Sequence, residues 1–242
     1  MKTILLAGGA GYIGSHTAVE LLNAGFQVVV ADNYSNSCPE AVKRVEEITG
    51  KSVKLYEVDI KDSKKLETVF QENHIDAVIH FAGLKAVGES VEKPLEYYEN
   101  NVSGTLTLLR VMRKYGCRTM IFSSSATVYG SQNPVPYREE MPTSATNPYG
   151  YTKVMIEQIL RDVCAADPNF TAVALRYFNP IGAHMSGLLG ENPNGIPNNL
   201  VPYVAQVASG KLDHVQVYGD DYDTPDGTGA VSYTHLTLPT NS

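Results

Sequence analysis

Several kinds of residue and segment are scarce in this chain of 242 residues, and each scarcity removes a class of function. There are three cysteines, Cys38, Cys117 and Cys164, an odd number, widely separated and without a CxxC spacing. That pattern excludes a disulfide framework or a zinc site, and plain thiols are expected. The six histidines fall in neither an HExxH nor an HxH arrangement, so no bound metal is expected. Positive charge is thin, with 19 Lys and Arg against 26 Asp and Glu, a net charge of -7, and no dense basic run. Nothing here attracts a phosphate backbone or an anionic bilayer, so neither nucleic acid nor membrane is an expected partner. Long apolar runs are missing too. Ile4 to Ala7, right behind Met1-Lys2, is far too short for a signal-peptide core or a membrane span, and a cytoplasmic protein is expected.

What is present is a rhythm. Aliphatic and β-branched runs recur at Thr3 to Ala7, Gln27 to Ala31, Val53 to Val58, Ala77 to Phe81, Thr119 to Ser123 and Thr171 to Leu175. Between them apolar residues return at helical spacing, as in Ile13, Val19, Leu21 and Leu22, or Leu106, Leu108, Leu109 and Met112. Alternating βαβα predicts an α/β fold: a doubly wound parallel sheet of six strands, uniformly apolar and therefore buried on both faces. Beyond Arg176 turn formers crowd the chain at Asn179-Pro180, at 192–197 and at 226–229, which predicts a small, loop-rich cap. Loops that follow the carboxyl ends of parallel strands are where such sheets bind ligands.

The first run leads into Gly8-Gly9-Ala10-Gly11-Tyr12-Ile13-Gly14, and the second ends close to Asp32. A glycine turn between strand and helix lets backbone approach a pyrophosphate, which the helix start attracts, while Gly14 lets helix pack on strand. A carboxylate at Asp32 would take hydrogen bonds from a ribose diol and repel a 2′-phosphate, so the expected cofactor is NAD rather than NADP. Residues 1–176 are thus expected to form a Rossmann-type NAD-binding domain, and 177–229 a partial substrate-binding cap.

Two further features carry chemistry. Tyr149 and Lys153, four apart after Asn147-Pro148, lie on one face of a helix expected to run to about Cys164. A nearby ammonium favours a phenolate, the form in which a tyrosine is a general base. Ser123-Ser124-Ser125 closes the fifth strand, where a hydroxyl would stand at the carboxyl edge of the sheet. Glycine turn, acidic residue, strand-end serine and Tyr/Lys helix occur in the order a hydride-transfer site requires.

Longer stretches sharpen this. Gly8 to Thr17, His80-Phe81-Ala82-Gly83-Leu84-Lys85-Ala86-Val87-Gly88-Glu89-Ser90, Phe122 to Gly130 and Leu175-Arg176-Tyr177-Phe178-Asn179-Pro180 resemble the extended short-chain dehydrogenase/reductase family, and within it the nucleotide-sugar 4-epimerases. The resemblance implies reversible oxidation at sugar C4, interconverting UDP-glucose and UDP-galactose. It implies NAD contacts at Gly8, Gly11, Tyr12, Ile13, Gly14, Asp32, Asn33, Asn36, Ser37, Asp59, Ile60, Phe81, Ala82, Gly83, Leu84, Lys85, Asn100, Ser125, Tyr149, Lys153 and Phe178. The UDP-sugar would meet Lys85, Ser125, Tyr149, Asn179, Asn199, Leu200 and Tyr218, with Ser125, Tyr149 and Lys153 catalytic. A homodimer paired through the helices of residues 90–114 and 149–165 is implied as well. The related 4,6-dehydratases carry carboxylates directly after the strand-end serine; here Ala126 and Thr127 stand there, which disfavours dehydration. Epimerisation of another UDP-sugar and NAD binding without catalysis remain open alternatives.

The resemblance runs to about Gly229. Family members place an Arg-Asp pair soon after the turn at 226–229 and continue into a further substrate-binding segment; here Val231-Ser232 stand in that place. The expectation is a divergent tail over 230–242, produced by truncation, frameshift or a cloning junction, and a cap that lacks the arginines facing the substrate diphosphate.

Overall fold

The computed structural model describes residues 1–193, 195, 197, 199–217, 219–222, 227 and 233–235, the last three by backbone only. In chain order the elements are β1 (Thr3–Ala7), α1 (Tyr12–Asn23), β2 (Gln27–Asp32), α2 (Glu40–Thr49), β3 (Lys54–Glu57), α3 (Ser63–Glu72) and β4 (Ala77–His80). Next come α4 (Val87–Glu92), α5 (Pro94–Tyr97), a π-helical segment (Tyr98–Ser103), α6 (Gly104–Lys114) and β5 (Thr119–Ser125). A 3-10 turn (Ala126–Val128) leads toward α7 (Pro148–Ala166), followed by β6 (Thr171–Tyr177), β7 (Asn179–Ile181), α8 (Leu200–Ala208) and β8 (Tyr233–His235).

All six predicted strands form, and they pair in parallel in the order β3-β2-β1-β4-β5-β6. This is the order of a dinucleotide-binding sheet: it reverses between β1 and β4, and the reversal opens a crevice at the strands' carboxyl ends. The central strands are apolar throughout and buried, with Leu5, Leu6, Ala7, Val30, Ala31 and Val78 inaccessible to solvent. Against Leu5, Ala7, Ala31 and Val78 pack Leu66, Val69 and Phe70 of α3, Leu108, Val111 and Met112 of α6, and Ile156 and Leu160 of α7, while Leu6 and Val30 point to the other face. Helices at their apolar spacing thus cover strands that are apolar on both faces.

Uniform burial does not extend to the edges. β3 is exposed at Lys54 and Glu57, and on β6 Val173 and Leu175 are 47% and 41% exposed. The expectation of burial on both faces fails for these two strands, the edges of the six-stranded sheet among the described residues. Helix boundaries also shift. Helical structure over 90–114 is interrupted after Glu92 and, between Tyr98 and Ser103, carries π-helical hydrogen bonding.

The chain divides into two compact units, Met1–Tyr177 and Phe178–Ser242. The first holds the six-stranded sheet. In the second, β7 pairs in parallel with β8, and a bridge joins Ala183 to Gly190. Most of the tail over 230–242 lies outside the described residues, as does Tyr218. Among the described residues no helix is long and apolar enough to cross a membrane, and no group of His, Cys, Asp and Glu could hold a metal ion.

Candidate active site

At the end of β1 the chain turns on Gly8, whose φ of +80° lies in the left-handed region. A Cβ there would stand 2.5 Å from the Ala82 nitrogen, so the loop after β4 also requires the glycine. Gly14 is excluded from substitution on the opposite side: its Cβ would come within 2.7 Å of the Gly8 oxygen. Gly11 differs, since a Cβ would meet only the Gly8 oxygen, at 3.4 Å. The turn is therefore open on the Gly11 side, where α1 begins without a side-chain cap. Open backbone at a helix N-terminus suits a diphosphate, so the residues present fit a dinucleotide.

Asp32 ends β2 with its side chain buried. Its Oδ1 accepts from the Tyr34 nitrogen at 2.9 Å and the Ser37 hydroxyl at 2.7 Å, and its Oδ2 accepts from the Ala10 nitrogen at 2.9 Å. With two lone pairs on each oxygen, Oδ2 keeps acceptor capacity for a diol. The same bonds tie the glycine turn to the loop after β2, where Tyr34 adopts a φ of +56°. Asn33 donates to Asp59 at 3.2 Å, which brings these two expected cofactor residues together. Ile60 lies buried beside them, touching the place where a Gly104 side chain would be.

The loop after β4 is fixed from both ends. The Phe81 and Ala82 nitrogens each donate to the Ala7 carbonyl at 2.8 Å. Further on, Asn101, in the π-helical segment, accepts from the Leu84 nitrogen at 2.8 Å and donates to the Leu84 carbonyl at 3.0 Å. Asn100 donates to the same Asn101 oxygen at 3.0 Å. One turn earlier, the Tyr97 hydroxyl accepts from the Ala86 nitrogen and donates to Glu89. Lys85 thus stands exposed between two pinned neighbours. Gly83 runs so close to this helix that a Cβ would lie 3.3 Å from Asn101 Oδ1 and 3.8 Å from Lys153 Nζ.

The residues expected to be catalytic come together at the end of β5. Asn147 caps α7 by accepting from the Gly150 nitrogen at 2.8 Å, and Pro148 occupies the first turn, which fixes where Tyr149 emerges. The Ser125 hydroxyl oxygen accepts from the Thr127 nitrogen at 3.2 Å, and the same side chain lies near enough to the Tyr149 phenol to favour its ionised form. Lys153 is buried; its Nζ donates to the Ser123 carbonyl at 2.8 Å and lies 5.6 Å from the centre of the Tyr149 ring.

Burial pushes Tyr149 above its ordinary pKa, and the Ser125 hydrogen bond opposes that only in part. Lys153 therefore does not by itself bring the tyrosine down to neutral pH, as the spacing suggested; its ammonium is spent on a carbonyl rather than on the phenol. Burial also lowers Lys153, to about 8. Nearby His80 is held neutral, with a pKa of about 3, by burial and then by the Lys153 charge. Its Nε2 meets the Thr105 hydroxyl at 2.9 Å.

The remaining expected site residues belong to the second unit. Phe178 and Asn179 are exposed at the start of it, Asn179 in β7. Asn199 stands at the N-terminus of α8 and donates to Glu191, and Leu200 begins the helix half exposed.

Sequence reasoning passed over Asn101, Thr152, Glu157 and Arg176. Thr152 accepts from Asn101 at 3.1 Å and donates to the Tyr149 carbonyl at 2.6 Å. Glu157 and Arg176 form a buried pair at 2.8 Å. The usable signal was position: Glu157 extends the Tyr149, Lys153 spacing by one more turn, and an acidic residue on a buried helix face requires a partner.

Known proteins share both sequence and structure with this chain. It is 61% identical over 233 residues to a UDP-glucose 4-epimerase of Bacillus subtilis, covering 96% of this chain and 69% of the relative. A UDP-glucose 4-epimerase of Dictyostelium discoideum is 57% identical over 233 residues, 96% of this chain and 68% of that protein. A crystal structure of UDP-glucose 4-epimerase from Bifidobacterium longum in complex with NAD+ and UDP superposes with a TM-score of 0.94 at 63% identity, over 97% of this chain and 70% of the other. The profile of the NAD dependent epimerase/dehydratase family matches residues 4–236, a span that passes the expected limit at Gly229. With sheet order, glycine turn and strand-end corner already in agreement, that match means that the chain belongs to the NAD dependent epimerase/dehydratase family.

Proposed function

We propose that the protein binds NAD and interconverts UDP-glucose and UDP-galactose. The observation that carries this reading is the meeting of Ser125, Tyr149 and Lys153 at the carboxyl end of β5. NAD, when bound, supplies an acceptor that takes a hydride from sugar C4 and gives it back to the opposite face.

The chain's own residues manage the proton and the geometry. Tyr149 takes the proton of the 4-hydroxyl as hydride leaves and returns it on the way back. Ser125 hydrogen-bonds the reacting oxygen, and Lys153 holds positive charge beside the phenol and binds the cofactor's ribose. Gly8, Gly11, Tyr12, Ile13 and Gly14 hold the diphosphate; Asp32, Asn33, Asn36, Ser37, Asp59 and Ile60 hold the adenosine half. Phe81, Ala82, Gly83, Leu84, Lys85, Asn100 and Phe178 hold the nicotinamide half. Lys85, Asn179, Asn199, Leu200 and Tyr218 are assigned to the UDP-sugar. In this reading residues 1–176 are the cofactor domain and 177–229 the cap. Ala126 and Thr127, which bring no carboxylate to the strand end, favour epimerisation over elimination of water. Val91 and Leu95, and Tyr151 and Met155 on α7, are exposed and support pairing of two copies.

The decisive experiment is conversion of UDP-galactose to UDP-glucose by the purified chain, with Tyr149→Phe as control. Turnover in the native chain alone supports the reading. Bound NAD without turnover would make this a binding protein instead.

A further inference from the structure

Three residues of α7, each one turn from the next, grip three consecutive residues of β5. Tyr149 faces Ser125, Lys153 donates to the Ser123 carbonyl, and Glu157 accepts from the Ser124 hydroxyl at 2.6 Å. The reaction described above uses the first two contacts. The third has no part in it, yet it is the best anchored.

Glu157 is buried and accepts from Arg176 Nε at 3.0 Å, from Arg176 Nη2 at 2.8 Å and from Arg161 at 3.2 Å. Arg176 is the register partner of Ser124 on β6, so both side chains reach Glu157 from the same face of the sheet. The guanidinium also lies over the Tyr129 ring at 4.8 Å and donates from Nη1 to the Glu139 carbonyl at 3.1 Å. Burial pushes the Glu157 carboxyl up, but hydrogen bonds from Arg176 and Ser124 and the charges of both arginines outweigh it, and the group lies below its ordinary value. The ion pair is therefore permanent at neutral pH, and its bidentate geometry fixes the carboxylate in place.

We propose that Glu157 is a positioning residue for the reaction: held by Arg176, it grips Ser124 and so sets the end of β5 where the Ser125 hydroxyl meets the Tyr149 phenol. The inference rests on the catalytic roles given to Ser125 and Tyr149. A pair that only held the fold together would support stability without influencing the phenol. A positioning role ties the phenol's ionisation to a carboxylate two helical turns away.

The test follows Tyr149 ionisation by NMR of ring-labelled tyrosine, assigned with Tyr149→Phe, in the native chain, Ser124→Ala and Glu157→Gln. Ser124→Ala removes one hydroxyl and leaves the ion pair, so it is the variant expected to fold if Glu157→Gln does not. The expected result is a Tyr149 midpoint about half a pH unit or more above the native one, because the Ser125 bond that favours the phenolate is weakened. NAD affinity should stay within about twofold, and kcat for sugar interconversion should fall about tenfold with KM nearly unchanged. A native midpoint in both variants, with only the melting temperature lowered, would overturn the proposal. So would an unfolded Ser124→Ala chain, since the bond would then serve the fold. Should the native chain show no turnover, the epimerase reading fails, while the NMR midpoint still decides the role of Glu157.

Discussion

At the end of β1 the turn depends on side chains that are absent: Gly8 has none to clash with Ala82, Gly14 none to clash with Gly8, and Gly11 leaves its side open. At the end of β5 the opposite holds, because side chains of α7 reach the strand: Tyr149 faces Ser125, Lys153 donates to the Ser123 carbonyl and Glu157 accepts from Ser124. The first corner is shaped by what is missing and has to accept a ligand whose own charges complete it. The second is shaped by what is present and has to be in order before the ligand arrives. Backbone sites fail when atoms are added; side-chain sites fail when atoms are removed.

Tyr149→Phe should give the largest effect on the side-chain corner. It keeps the ring and its packing but removes the proposed proton carrier, so kcat should fall about a thousandfold, or about 4 kcal/mol in the barrier, with NAD affinity held within about twofold. Retained turnover would detach the chemistry from this corner. On the backbone corner Gly8→Ala adds one methyl against the Ala82 nitrogen at a positive φ. Unfolding in urea should show a loss of about 3 kcal/mol or more, and a near-native midpoint would mean the turn is not locked between strands.

Asn101→Ala tests the brace between the two corners. It strands the Leu84 nitrogen and carbonyl and should cost about 2 kcal/mol of stability, with faster amide exchange confined to the loop at 83–86. Gly11→Ala should separate fold from binding. Its methyl meets only ordinary contact, so stability should change by less than about 0.5 kcal/mol, while calorimetry should find NAD bound about tenfold more weakly.

At neutral pH the smallest effect belongs to His80, and it emerges only in acid. Folded His80 ionises near 3 against 6.5 for an unperturbed histidine, so between those values the unfolded chain binds more protons than the folded one. Stability is thus lost as pH falls from 6.5 toward 3. Unfolding midpoints measured from pH 7 to pH 4 should fall more steeply in the native chain than in His80→Gln.

The backbone corner was legible in the sequence because its parts are neighbours along the chain: glycines within seven consecutive residues, and Asp32 at the close of the next apolar run. The central strands were legible for a similar reason, since burial on both faces demands unbroken apolar runs such as Val28-Val29-Val30-Ala31. Edge exposure of β6 was not, because its Val173 and Leu175 are as apolar as any core strand. Tyr149 and Lys153 could be paired by spacing. Asn101, Glu157 and Arg176 could not, since each is an ordinary polar residue until the fold brings its partner from 17, 33 or 19 positions away. Spacing also could not show how burial acts on the Tyr149 phenol, because burial depends on the whole packed site.

The π-helical segment at Tyr98–Ser103 has a consequence for how this site could arise and change. A helix keeps a single phase along its length: whatever faces the core at one end determines, at ~100° per residue, what faces it at the other. One additional residue in a turn resets that phase. Ahead of the reset Tyr97 holds Ala86; behind it Leu108, Leu109 and Met112 fill the core. Asn101 sits within the reset itself, turned toward Leu84. Deleting one residue between 98 and 103 would restore an unbroken α-helix and put the polar brace and the apolar face out of step. The smallest edit to the chain's length there would therefore force a choice between the loop and the core.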